Sequence, residues 1–262
     1  MTRSVGVVAL AVAAWATVAA SSVAMAGPPV DLKSSDGVVV RAAEYGKGSN
    51  AVILVHDKGR TREDWAYFAE RLGGAGYHVL AVDLRGHGGS HPPDALTDAD
   101  FPKMALDVAA AARWFESLGV QQLVVIGASF GANVALAAAA EDPKIDSVVL
   151  LSPGLNLSGV TLSGPIEKFG ERPSFVIASN EDAYSVRSAN LLDSKARGDC
   201  EVLLLENAGS GVRMLNKDPS LEALLLAWLN GSYQLANGQR QPIKVNTGDK
   251  VDIQTSGKKF GE

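Results

Sequence analysis

One serine in the chain sits where residue types and spacing suggest a built nucleophile: Ser129, within Gly127-Ala128-Ser129-Phe130-Gly131. The chemistry it would do is acyl transfer. A sharp strand-to-helix turn would lift its Oγ clear of a sheet edge. The N–H of Phe130, at the positive end of the following helix, would face the point where an oxyanion forms. Such a turn forces its serine into strained dihedrals, and Gly127 and Gly131 supply the room this needs. The context fits, because the apolar run Leu123-Val124-Val125-Ile126 precedes the turn and an alanine-rich stretch follows it. The alternative is a glycine-rich turn with an idle serine.

Positioning such a group requires strands that end together, and the chain supplies them. Ala51–Val55, Val79–Val82, Ser147–Leu151, Ser174–Ala178 and Glu201–Leu205 are continuous apolar runs, as expected of strands covered on both faces. Asp36–Ala42 reads as a leading strand. Helices are expected from Thr61 (as cap) to about Gly73, from about Asp100 to Leu118, after Ser129, and over Leu221–Leu229. Strands alternating with helices imply an α/β fold with a mostly parallel sheet, whose ligands sit beyond the carboxyl ends of the strands. The polar clusters His56–Gly59, Asp83–Ser90, Ser179–Asp182 and Glu206–Gly211 all fall at those ends.

With these segments in place the chain resembles the α/β-hydrolase family. The His56–Gly59 turn, Asp83-Leu84-Arg85-Gly86-His87-Gly88, the Gly127–Gly131 elbow and the Ser179–Asp182 turn stand in the family's order and spacing, over about Asp36 to Leu229. The resemblance implies a central sheet with helices on both faces. Between Pro153 and Pro173 there is room for a short loop and one turn of helix, hence no sizeable cap domain and an open site. It also implies Ser129 as nucleophile and oxyanion donors from the backbone of Phe130 and of Asp57 or Lys58. Asp182 matches the acid that orients the base. Asp182 could instead cap the helix beginning at Ala183, and Glu181 is the neighbouring alternative acid.

The base itself is missing. The family's histidine follows the last strand, and there the turn reads Ala208-Gly209-Ser210-Gly211, with Ser210 at the expected position. All four histidines (His56, His78, His87, His91) precede Ser129. His56 and His87 fit structural duties at strand ends, His78 a surface or edge position, and His91 a Ser-His-Pro-Pro loop. Lys58 could serve as base, as in Ser–Lys enzymes, but lies on the oxyanion side. Losing the histidine of a triad costs roughly 10⁶ in kcat and leaves about 10³–10⁴ over water. Two readings follow. One is a carboxylic-ester hydrolase of serine type with weak turnover or a non-standard base. The other is a non-catalytic descendant that binds a small ligand or a protein partner in the former pocket.

Residues 1–26 read as a secretory signal: Arg3, an apolar stretch Val5–Ala20, and Ala24-Met25-Ala26 before Gly27. Export to the periplasm or medium is expected, with no stable membrane anchor after cleavage. The formal charge is −5 and becomes one unit more negative without Arg3, which argues against nucleic acid as partner. The single cysteine, Cys200, opens an apolar strand and cannot form an intramolecular disulfide. No metal-ligand cluster or phosphate loop is legible, so no cofactor or metal is expected, and the partner is an ester-like small molecule. Residues 27–233 make up the hydrolase-like domain. Residues 234–262 form a polar tail in which Val245 and Val251–Ile253 could flank a hairpin, with a disordered tail as the alternative.

Overall fold

The computed structural model describes residues 27–90 and 96–231 and the pair Gln254–Thr255. The leader, His91 and the proposed 245–253 hairpin lie outside the described residues. The chain runs β1 (Pro29–Lys33), β2 (Val39–Tyr45), β3 (Asn50–Val55), α1 (Ala66–Gly74), β4 (Tyr77–Val82), α2 (Ala105–Ser117), β5 (Gln122–Ala128) and α3 (Phe130–Glu141). It continues through β6 (Ser147–Leu151), β7 (Asn156–Leu157), β8 (Val160–Thr161), α4 (Ser163–Phe169), β9 (Ser174–Ser179), α5 (Ala183–Lys195), β10 (Cys200–Leu205), α6 (Arg213–Lys217), α7 (Pro219–Leu229) and β11 (Gln254–Thr255).

The main sheet has the order β1-β2-β4-β3-β5-β6-β9-β10-β11. From β4 to β10 it is parallel, and β1, β2 and β11 join antiparallel at the two edges. Strand alternation divides the core into two layers. On β3, Ile53 and Val55 pack with α2 and α3, while Val52 and Leu54 pack with Trp65, Phe68 and Leu72 and with α7. Both faces being covered is why these strands read as unbroken apolar runs. Helix α3 is buried nearly all round, which suits its alanine content and lets it lie close against β3 and β5. Cys200 is buried at the start of β10.

Several expectations need correction. β1 has an exposed, alternating face and lacks the apolar run that marks the inner strands. Thr61 precedes a 3₁₀ turn but makes no side-chain cap; its hydroxyl goes to Glu63. His78 is not a surface residue. It is buried in β4, where its Nε2 meets Glu44 Oε1 at 2.6 Å and its ring packs edge-on to Trp114 and Phe115. Between β6 and β9 lie the small β7–β8 hairpin and the seven-residue α4, more helix than one turn and no cap domain.

The Asp83–Gly88 segment is structural throughout. Asp83 is fully buried and accepts the N–H of Arg62 (2.7 Å) and of Gly89 (2.8 Å), with the Arg62 guanidinium paired to it. The Arg85 guanidinium is wrapped by the buried Asp107, at 2.6 Å, and by the partly exposed Asp36. Asp107 also accepts the Arg85 N–H at 2.8 Å. Its carboxyl is pushed up by burial against the pull of Arg85, whereas the Arg85 hydrogen bonds hold Asp36 down at about 2. Removing one partner of a buried pair strands the other charge. Asp107→Ala is therefore expected to lower urea-unfolding stability by about 3–5 kcal/mol. Asp36→Ala, at the solvated side of the same guanidinium, should cost about 1 kcal/mol or less. Equal losses would refute this division.

Candidate functional site

Six strand ends converge on the site. Ser129 stands at the end of β5 with φ 51° and ψ −115°, the strained conformation expected of an elbow. Ser152 after β6 and Asn207 after β10 also have positive φ, so strain gathers at this edge of the sheet. The crowding that demands glycine is explicit. A Cβ on Gly127 would lie 2.2 Å from the Gly131 carbonyl oxygen, and one on Gly131 would lie 2.3 Å from that of His56. Ser129 is half-buried, and among the described residues its Oγ has no hydrogen-bond partner.

The Phe130 and Lys58 N–H groups come together, and both are taken by one side chain. The Phe130 N–H, across 73 residues of sequence, donates to Asp57 Oδ1 at 3.1 Å. The Lys58 N–H donates to the same oxygen at 2.7 Å. The Lys58 side chain is engaged by other groups: its Nζ donates to Ser158 Oγ at 2.8 Å and lies 4.0 Å over the Phe101 ring. Phe101 in turn packs edge-on against Phe130.

The Ala208–Gly211 turn lies directly over the elbow, for a Cβ on Gly211 would come within 3.9 Å of Ser129 Cβ. Side chains at and just past the ends of β6 and β9 hold this turn. Ser179 Oγ accepts the Ala208 N–H at 2.9 Å, Glu181 the Gly209 N–H at 2.8 Å, and Ser152 Oγ the Gly211 N–H at 3.0 Å. Ser210 precedes Gly211 in this turn, and its Oγ accepts from Arg213 Nη2 at 3.3 Å. Asp182 serves as the N-cap of α5, taking the Ser185 N–H at 3.0 Å. Glu181 is the carboxylate bonded to the turn, and the Ser179 hydroxyl beside it holds its carboxyl low.

Neither described histidine of the site is placed as a base for Ser129. His56 is fully buried; its Nδ1–H donates to its neighbour's carbonyl at Asp57 (2.7 Å), and its Nε2 accepts the Leu84 N–H (3.0 Å). His87 Nε2 accepts the Gly59 N–H at 3.0 Å, tying the oxyanion loop to the loop after β4. Two tethers went unnoticed in the sequence. Buried Asn133 on α3 donates to the carbonyls of Gly154 (2.6 Å) and Val160 (2.7 Å) and accepts the Gly154 N–H. Tyr184 clasps both backbone groups of Asn156. Together they pin the β7–β8 hairpin beside the site. An open cleft of about 490 Å³ adjoins it, lined by Asp57, Arg60, Asp64, Ser210 and Arg213 among others. Among the described residues no group of three or more His, Cys, Asp and Glu side chains could hold a metal ion.

Comparison with known proteins matches residues 50–197 to the alpha/beta hydrolase fold. The chain is 34% identical over 111 residues to epoxide hydrolase A of Mycobacterium tuberculosis, covering 42% of this chain and 34% of that one. It is 36% identical over 119 residues to the dihydrolipoyllysine-residue acetyltransferase component of the acetoin cleaving system of Cupriavidus necator, covering 45% and 30%. The chain thus spans about a third of the length of these curated relatives. Among solved structures, the Pyrococcus furiosus esterase Pf2001 superposes with a TM-score of 0.64 at 21% identity, over 78% of this chain and 90% of that one.

Burial lowers His56 from 6.5 to about 4. Between these values the unfolded chain binds a proton that the folded one does not. The stability His56 confers is therefore complete above pH 6.5 and declines as pH falls toward 4, by roughly 3 kcal/mol in all. The Asp36 contribution is lost only lower, from 3.8 toward about 2. His56→Gln keeps a donor and an acceptor without a titration. Urea unfolding at pH 7 and pH 4.5 should show a markedly smaller drop for this variant, and equal drops would exclude His56 as the cause.

Proposed function

Because the chain belongs to the alpha/beta hydrolase fold family, we propose that its Ser129 site receives a small ester-like or carboxylate-bearing molecule and turns esters over only residually. The observation that carries this is the Ser129 Oγ with no hydrogen-bond partner among the described residues, beside a turn whose sequence has Ser210 where the family's histidine is expected. A serine hydroxyl cannot accept the nucleophile's proton at neutral pH, so the general-base contribution is lost. What survives is the strained elbow, the Phe130 N–H at the head of α3, and a turn held by three side chains. The names of the relatives, hydrolases and esterases among them, favour a second reading in which a non-standard base supports full turnover.

The decisive comparison is p-nitrophenyl butyrate hydrolysis by wild type, Ser129→Ala and Ser210→His. Wild type should exceed Ser129→Ala by no more than about tenfold. Ser210→His should raise the Ser129-dependent rate about 10²-fold or more, since the imidazole would enter a turn already tethered to Glu181. A wild-type rate about 10⁴ above Ser129→Ala would overturn the residual-turnover reading and establish the second one.

Export belongs to the same proposal, supported by the Arg3, Val5–Ala20 and Ala24-Met25-Ala26 pattern. Expression with the leader should yield extracytoplasmic protein whose N-terminal residue is Gly27 by mass spectrometry. Material that keeps residues 1–26 and stays in the cytoplasm would refute it.

A further inference from the structure

We propose that residues 256–259 continue β11 along the edge of β10 and set Lys259 against an acidic groove at the foot of the sheet, the end remote from Ser129. β11 pairs antiparallel with β10, Thr255 opposite Leu203 and Gln254 opposite Leu204. Among the described residues, β10 has β9 along one side and these two residues on the other. Continued at one pair per residue, the same register puts Ser256 opposite Val202, Gly257 opposite Glu201, Lys258 opposite Cys200 and Lys259 opposite Asp199. A strand edge left bare presents unpaired N–H and C=O groups, which proteins cover or blunt.

The groove has the chemistry to receive this segment. It holds about 230 Å³ and is lined by Val124, Trp228, Leu229, Asp199 and Glu201 among others, with no lysine or arginine in its wall. Asp199 enters no salt bridge among the described residues. A lysine suits such a place, since its stem lies along apolar surface while its ammonium reaches the carboxylates. Strand alternation then sends the two lysines to opposite faces. Leu203 and Leu205 belong to the core layer with α7, whereas Cys200 and Val202 belong to the layer with α5. Directly opposed residues share a face, so Lys259 falls on the α7 side with Asp199 and Glu201, and Lys258 on the other side beside Cys200. The strand covered in this way is the one that leads into the Ala208–Gly211 turn.

The test is register-specific disulfide closure in the full chain, whose single cysteine is Cys200. Directly opposed residues of an antiparallel pair have Cα atoms about 4.5–5.5 Å apart, inside the range a disulfide spans. With oxidised glutathione as oxidant, Lys258→Cys should close an intramolecular bridge to Cys200 at least about tenfold faster than Gly257→Cys or Lys259→Cys, whose thiols face the other side of the sheet. Non-reduced peptide mapping by mass spectrometry reads the bridge. Equal rates at the three positions would mean an end without register, and no closure at 258 would refute this register. A bridge between two chains would assign the edge to a second copy. Each of these results overturns the proposal. Because Cys200 is buried, amide exchange supplies a reading free of thiol access. Alternate N–H groups over Cys200–Val202 point to the edge, and at least one should exchange about 10²-fold more slowly in the full chain than in a chain ending at Thr255. Equal exchange would overturn the pairing. Lys259→Glu should speed that exchange about threefold, and adding Asp199→Lys should restore it. No change in either would overturn the placement of Lys259. None of these readouts depends on the Ser129 site.

Discussion

The closeness of α3 to the end of β3 is the constraint from which the rest of the site follows. Gly131 lies so near the carbonyls of Val55 and His56 that a Cβ would be 2.5 and 2.3 Å from them, and Gly127 is as tightly opposed to Gly131. Only two bare backbones can approach this far. The approach bends the chain at Ser129 into a left-handed conformation. It brings the first free N–H of α3 within reach of residue 57, and it buries Phe130 against Phe101. Strain, electrostatics and packing at the site thus have one geometric origin.

A second tier keeps the loops above that contact in register. Asp83 gathers Arg62 and Gly89, Arg85 binds Asp107 and Asp36, and His87 holds Gly59. Charge and imidazole are used here as fasteners for backbone N–H groups in loops that lack a sheet ladder to satisfy them. The neutrality of His56 fits this duty, since a buried imidazolium would lack the acceptor nitrogen that takes the Leu84 N–H. Conspicuous polar residues at strand ends therefore divide into those that hold loops and those that face the cleft. Their identity alone does not say which.

That division marks how far the amino-acid sequence could be read. The inner strands were legible because burial on both faces leaves an apolar run, and the elbow because glycine is sterically required on either side of Ser129. That no histidine follows Ser129 is read directly from the chain order. β1 was not, since an edge strand with one exposed face carries no apolar run. His78 was misplaced because its partner Glu44 is 34 residues away on a neighbouring strand. Ser152, Ser179 and Asn133, which hold the turn and the hairpin, belong to no spacing pattern; small polar side chains act here only through tertiary proximity. The choice between Asp182 and Glu181 was open for the same reason. One carboxylate closes the helix behind it and the other the turn across from it.

Asp57 shows why a motif can be complete in backbone and altered in chemistry. The N–H groups of Phe130 and Lys58 converge on one point, and what occupies it is the Asp57 side chain. A preorganised pair of N–H groups accelerates acyl transfer because it waits, unsolvated, for charge that develops only in the transition state. A carboxylate already bonded to such groups reduces that differential, because part of the bonding is made before reaction. On the other side of Ser129, no histidine among the described residues is placed within reach of its Oγ. The ends of β3 and β10 thus carry the two features that set this site apart from a bare elbow, a carboxylate on the Phe130 and Lys58 N–H groups and a serine in the Ala208–Gly211 turn.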